Sequence, residues 1–133
     1  MQMKRELIDT TDSVNIRERQ GVTILDIEKV ETTGFDDNIA LKTIIDEQVD
    51  MAEERKFQIL FNLQKVTKIY SVVIGIIIYA HTSALKKGGR IALLHANSKI
   101  KKLFIDLKLQ KIFDWYDDEE EAIASFRLIE NRS

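Results

Sequence analysis

Neither cysteine nor proline occurs in this chain, and glycine occurs only five times. Without cysteine there is no disulfide and no thiolate zinc site, and a cytoplasmic home is the simple expectation. Without proline, turns must rest on Gly, Asn and Asp. Histidine is scarce as well: His81 and His95 are the only two. No clear partner can be placed beside either one, so neither is assigned a catalytic or metal role. The Gly-rich dinucleotide fingerprint, the P-loop, the zinc-protease helix motif and the nucleophile elbow are all missing. A net charge of −2 leaves no footprint for nucleic acid. The most apolar stretch, Val72–Ala80, is far shorter than the roughly 18 residues a membrane span requires. Met-Gln-Met-Lys-Arg-Glu at the start is not followed by an apolar run, so no secretory signal is expected.

What is present suits one soluble domain. The chain has 133 residues, of which 44% are hydrophobic and 32% charged. That is enough for one real core and too little for two. Residues 1–12 are polar and lack a clear period, so they read as a tail or a short extra element. Residues 13–128 read as a single domain and 129–133 as a C-terminal tail.

The spacing of apolar residues predicts the elements. Ser13–Arg19 and Val22–Lys29, joined through Gln20-Gly21, predict a β-hairpin with Val14 and Ile16 on one face. Glu31–Phe35 reads as a loop. Asp36, Asp37 or Asn38 can cap a helix that carries Ile39, Leu41, Ile44, Ile45 and Val49 and runs to about Arg55. Asp46, Glu47, Asp50, Glu53 and Glu54 look like its solvated side. Phe57–Asn62 is a strand.

Residues 72–79 are rich in β-branched side chains, which favour strand. Yet no turn signal stands between Ser71 and Lys87, a span too long for one strand. Lys86-Lys87-Gly88-Gly89 also makes a good helix end, with cations in the last turn and Gly beyond. The stretch is therefore predicted to be helical. Arg90–His95 is the next strand. Asn97 or Ser98 caps a helix to about Asp106, with Ile100, Leu103, Phe104 and Leu107 apolar. Lys111–Trp115 is a short last strand. Asp117 or Asp118 caps a final helix that buries Ala122, Ile123 and Phe126. The order β-β-α-β-α-β-α-β-α implies an α/β fold with a mixed sheet: an N-terminal hairpin, then βαβ units.

Sites in open α/β sheets gather where strands hand over to helices. Here that point is residues 66–71. Ser71 can cap the helix, or it can accept a phosphate, which the helix N-terminus would favour. At helical spacing, Val73, Ile76, Ile77, Ala80 and Ala84 should face the sheet. Ile74, Ile78, Thr82 and Leu85 then fall to the other side, near Tyr70 and Ser71. This predicts a contact patch of Tyr70, Ile74 and Ile78 for a protein partner, or for another copy of the chain. Lys99, Lys101, Lys102, Lys108 and Lys111 form either a solvated helix face or a contact surface for an acidic partner.

Three stretches together carry a family resemblance: Ile59 through Thr67, Lys87 through Leu94, and Ser98 through Ala122. In order and spacing they resemble the STAS domain, the fold of the anti-sigma factor antagonists. The likeness runs from about Val14 to Phe126. Where that family carries Asp-Ser-Ser-Gly-Leu-Gly, this chain has Tyr70-Ser71-Val72-Val73-Ile74-Gly75. Ser71 falls on the phosphorylated Ser and Gly75 on the last Gly. Tyr70 replaces the acidic residue, Val72 the second Ser and Val73 the first Gly. The resemblance implies a bacterial, cytoplasmic regulator of transcription that performs no catalysis and needs no cofactor. It would dock an anti-sigma factor or related serine kinase through Lys68, Tyr70, Ser71, Val72, Ile74 and Ile78. The alternative is a degenerate, non-phosphorylated module that serves as scaffold, sensor or small-ligand binder. An α/β enzyme is the third reading, for which catalytic residues are wanting.

Overall fold

A computed structural model describes residues 14–28, 31–32, 35–51 and 57–132; the side chains of residues 31–40, 51 and 128–132 lie outside the description. The expected N-terminal tail or extra element therefore falls outside the described residues. Of the expected loop at residues 31–35, only 33–34 lie outside them: Glu31 and Thr32 form a short strand and Phe35 opens the first helix. Strands β1 (Val14–Arg19) and β2 (Val22–Ile27) are followed by a two-residue strand β3 (Glu31–Thr32) and helix α1 (Phe35–Met51). Then come β4 (Gln58–Asn62), a two-residue β5 (Lys68–Ile69) and α2 (Ser71–Lys86). The chain closes with β6 (Arg90–Leu94), α3 (Ser98–Asp106), β7 (Asp114–Tyr116) and α4 (Glu119–Arg132).

The expected mixed α/β architecture is what forms. Five strands lie in the order β1-β2-β4-β6-β7, antiparallel at the first pair and parallel afterwards. β3 and β5 pair separately, in parallel. The hairpin turns on Gln20 and Gly21, both with positive φ (52° and 82°). Those two conformations match the twist of the flanking strands, as in a type I′ turn.

Strand alternation sorts the core into two layers. Leu25, Ile27, Ile59, Phe61, Ile91 and Leu93 point to one side, where α1, α2 and α3 cover them. Val22, Ile24, Leu60, Ala92 and Leu94 point to the other, beneath Ala122, Ile123 and Phe126 of α4. The apolar run of residues 72–79 is helical, as length and end signals predicted. Burial of Val73, Ile74, Ile76, Ile77, Ala80 and Ala84 outweighs propensities worth only tenths of a kcal/mol per residue. The helix ends as its sequence predicted. Gly88 N–H donates to Leu85 O (3.3 Å) and Gly89 N–H to Ala84 O (2.8 Å), a Schellman pair with Gly88 at φ +73°.

Several boundaries differ from expectation. α1 begins at Phe35, so Asp36, Asp37 and Asn38 lie within its first turn and not at its cap. Asp46 keeps an exposed side chain, as expected of a solvated face, and there accepts the Tyr79 hydroxyl of α2 and the Lys42 ammonium. The last strand is Asp114–Tyr116, not Lys111–Trp115. Lys111 and Ile112 are instead held in a turn, where Ile112 N–H donates to Leu109 O (3.0 Å). Leu107 follows α3 as its C-cap and is exposed. α4 continues to Arg132, through most of the residues expected as a tail.

The outer face of β1 is polar and is clipped to α4. Arg17 pairs with Asp26 (2.7 Å) and with Glu119 (2.7 Å), and Arg19 adds Glu119 and Glu120. The Arg17 bonds, opposed by burial and helped by Arg19, hold the Glu119 carboxyl near pKa 2, against its ordinary 4.5. Because the folded value is depressed, this stabilisation is complete above pH 4.5 and is lost as pH falls toward 2. Solvent screening reduces its expected size to about 1 kcal/mol. Glu119→Gln should cost about that much near neutrality and flatten the acid limb of stability. Urea unfolding of both proteins across this range checks it; parallel pH profiles would refute the assignment.

Candidate functional site

The handover from β4 to α2 is fixed by contacts from several elements. Asn62 ends β4, accepting from Gln64 N–H (3.1 Å) and donating to Asp26 (2.7 Å). Leu63 N–H donates to Leu94 O (2.9 Å) and Val66 N–H to Leu63 O (3.0 Å), which turns the chain beside β6. Asn97 then secures the loop. Its side-chain oxygen caps α3 by accepting from Ile100 N–H (2.8 Å). Its amide nitrogen donates to Val66 O (3.2 Å) and Thr67 O (3.4 Å). Of the two expected caps, Asn97 is the one used, and it ties α3 to the loop that presents Ser71. Pairing of β5 with β3 fixes the last two residues before Tyr70.

Ser71 is the first residue of α2 and is exposed. The cap expected of it is not made. The cap position belongs to Tyr70, in extended conformation (φ −101°, ψ 157°), with no side-chain capping bond. The hydroxyl of Ser71 therefore stands one residue inside the helix and not before it. Tyr70 O accepts from Val73 N–H (3.0 Å) and Ile74 N–H (3.2 Å). The first turn holds no acidic residue, so no carboxylate there offsets the positive end of the helix dipole. The Lys68 ammonium lies 5.1 Å from the centre of the Tyr70 ring. The helix end at Ser71 thus favours an anion.

The structure brings together four of the six expected interface residues. Lys68 and Ser71 are exposed, Tyr70 is half-buried, and Val72 is 51% exposed. Ile74 does not join them: it is 3% exposed and belongs to the core. Ile78 is half-buried and packs against the same core. The reason is that α2 is flanked by α1 as well as by the sheet. Its buried arc is therefore wider than a sheet alone would produce. The outward face is Ser71, Val72, Gly75, Tyr79, Thr82 and Leu85. Thr82 and Leu85 were placed there by helical spacing. Tyr79 was missed, although it lies seven residues on from Val72, two turns along the same face. It is fastened by its bond to Asp46, with the Lys42 ammonium 4.8 Å from its ring centre. Gly75 has open space around the position of a Cβ, so nothing among the described residues requires a glycine there.

A family model, the STAS domain, matches residues 13–122. The chain belongs to the STAS domain family. Solved STAS-like structures share its fold. A putative anti-sigma factor antagonist from Thermotoga maritima is 23% identical, with a TM-score of 0.74 over 86% of this chain and 94% of that one. An anti-sigma factor antagonist from Mycobacterium paratuberculosis is 18% identical, with a TM-score of 0.71 over 86% and 92%. The Bacillus cell fate determinant SpoIIAA in its phosphorylated form is 15% identical, with a TM-score of 0.66 over 84% and 97%. At such identities the likeness is one of fold. No curated protein matches the chain. Among the described residues of this STAS domain, no helix is long and apolar enough to cross a membrane.

Proposed function

We propose that this STAS domain is a regulatory protein-binding module of a bacterial cytoplasm. It docks an anti-sigma factor or a related serine kinase through the start of α2, and Ser71 is the phosphoacceptor. One observation carries the reading. Ser71 stands exposed on the first turn of α2, at the end of a loop held by β6, α3 and β3. A kinase needs an accessible hydroxyl at a fixed place, and a partner needs a surface that the modification can change. About two negative charges on Ser71 would meet the helix dipole and Lys68, so the fold tolerates them. A partner seated over Val72 would then face a new charge. The structural neighbour named in its phosphorylated form supports such a modification on this fold.

Tyr70 favours a second reading, in which the module docks its partner, or another copy of itself, without phosphorylation. The residue that is acidic in the family is here a half-buried ring beneath Lys68. Incubation with candidate partner kinases and labelled ATP separates the two. Ser71→Ala is expected to abolish incorporation, and Ser71→Asp to weaken partner binding by about tenfold, or roughly 1.4 kcal/mol. Labelling that persists in Ser71→Ala would show that the acceptor lies elsewhere. Unlabelled wild-type protein that still binds the kinase would favour the second reading.

A further inference from the structure

The geometry points to a second contact area: we assign the groove between β5 and α3 as a docking site for an acidic, leucine-bearing segment of a protein partner. The assignment deepens the reading of the chain as a protein-binding module and rests on it. The groove encloses about 590 Å³. Ile69, Ile100 and Leu103 form its floor, and Lys68, Lys99 and Lys102 stand at its edge. Among the described residues of the lining the one carboxylate, Asp106, is already paired with Lys102 at 3.1 Å. The described lining is therefore positive in a chain whose net charge is −2. That local reversal complements carboxylates.

The type of lining selects a peptide over a small ligand. Sites for small molecules place a few polar groups precisely inside an apolar cavity. Here the charged groups are long lysines at the edge, and the floor is aliphatic. Among the described residues no aromatic ring lines the groove, so nucleobases find no stacking platform there. Lys99 to Asp106 covers seven helical steps, roughly 10 Å. An extended segment of about three or four residues spans that length. It can set alternate side chains on the floor and turn the others toward the lysines.

The placement of the lysines argues independently for a binding role. Lys99, Lys101 and Lys102 occupy the first half of α3, a helix of nine residues with no acidic residue in its first turn. The dipole disfavours cations there. The Lys102–Asp106 pair also runs in the less favourable direction for an i,i+4 pair. These charges work against their own helix. Residues kept at a cost to stability are expected where they serve contacts outside the chain. Lys68 lies in this groove and over the ring of Tyr70, the residue before Ser71, so one partner can cover both areas.

The test uses the whole chain, labelled with ¹⁵N. The probe is a synthetic peptide of about six alternating leucines and glutamates, long enough to overrun the groove. Its control carries glutamine in place of every glutamate. Amide shifts are expected at Lys68, Ile69, Lys99 and Leu103 with the acidic peptide. They should fade at about 1 M salt, where the Debye length is about 3 Å. Lys99→Glu should weaken the probe about tenfold while leaving unfolding unchanged or slightly harder, because an acidic residue suits the start of a helix. Opposite changes in binding and stability are not what a merely solvated lysine produces. Equal binding of the glutamine peptide, or an affinity untouched by Lys99→Glu, would overturn the groove. Shifts confined to α2 would also overturn it, while leaving docking through Ser71 and Val72 intact.

Discussion

Gly89→Ala should be among the most damaging single substitutions in this chain. A Cβ at Gly89 would lie 1.9 Å from Phe57 O and 2.6 Å from both Phe57 C and Phe57 N. All three are backbone atoms, so no rotamer change relieves the clash. One of the two segments must move by more than an ångström. That motion breaks bonds that set the βαβ unit. Gly89 N–H donates to Ala84 O (2.8 Å), closing α2, and Arg90 N–H donates to Phe57 O (2.9 Å), starting the pairing of β4 with β6. Overpacking typically costs 1–3 kcal/mol and each lost hydrogen bond about 1 more, so about 3–5 kcal/mol is expected. In a domain with typical stability of about 5–15 kcal/mol, this removes a large share of the total. Gly88→Ala provides the comparison. It meets no atom within 4 Å but must adopt φ +73°, which costs about 1–2 kcal/mol. Urea unfolding should rank the wild type above Gly88→Ala, and Gly88→Ala above Gly89→Ala. A Gly89→Ala midpoint equal to that of the wild type would refute the close approach.

The two glycines illustrate how far the sequence could be read. Lys86-Lys87-Gly88-Gly89 announces a helix end because cations and a positive-φ residue are local requirements. That Gly88 supplies the φ while Gly89 supplies the absence of a side chain is not local. It depends on Phe57, which reaches Gly89 only when β4 and β6 pair. The same division runs through the fold. The hairpin at Gln20-Gly21, the helix over residues 72–86 and the stripe Ala122, Ile123, Phe126 follow from period and punctuation. β3 and β5, two residues each, have no period to read. β7 was misplaced because Ile112, Phe113 and Trp115 look alike as strand formers. Only the bonds of the turn at residues 109–112 decide where pairing begins.

At the candidate site, the place of Ser71 in the fold was legible and the exposed face of α2 was not. Ser71 at the strand-to-helix handover follows from chain order. Its cap role failed because helix boundaries shift by a residue with the tertiary context, and here the extended residue is Tyr70. Asn97 shows what pattern reading gains only in part. It was visible as a cap, but its second bond, to the loop before Ser71, required the loop and α3 to be placed together. The outward face of α2 needed the position of α1. Helical spacing fixes which residues share a side, not how wide the covered arc is.

Ile74→Ala and Val72→Ala should therefore separate folding from binding on one turn of helix. Ile74 is 3% exposed within the main core cluster. Removing its side chain leaves a cavity among packed neighbours, and buried Ile→Ala changes cost about 2–5 kcal/mol. No direct effect on a partner is expected beyond the loss of folded protein. Val72 is 51% exposed and sits beside Ser71. Its truncation leaves no cavity, and alanine has the higher helix propensity, so stability should change by no more than about 0.5 kcal/mol. If a partner covers the start of α2, however, Val72→Ala removes apolar area from the contact and should weaken binding by about 1–2 kcal/mol. The measurements are thermal unfolding and binding to the partner kinase or anti-sigma factor, made on both variants under conditions where each is folded. Full stability of Ile74→Ala would contradict its place in the core. Unchanged binding by Val72→Ala would move the contact off this turn, toward Tyr79 and Leu85 farther along the same face.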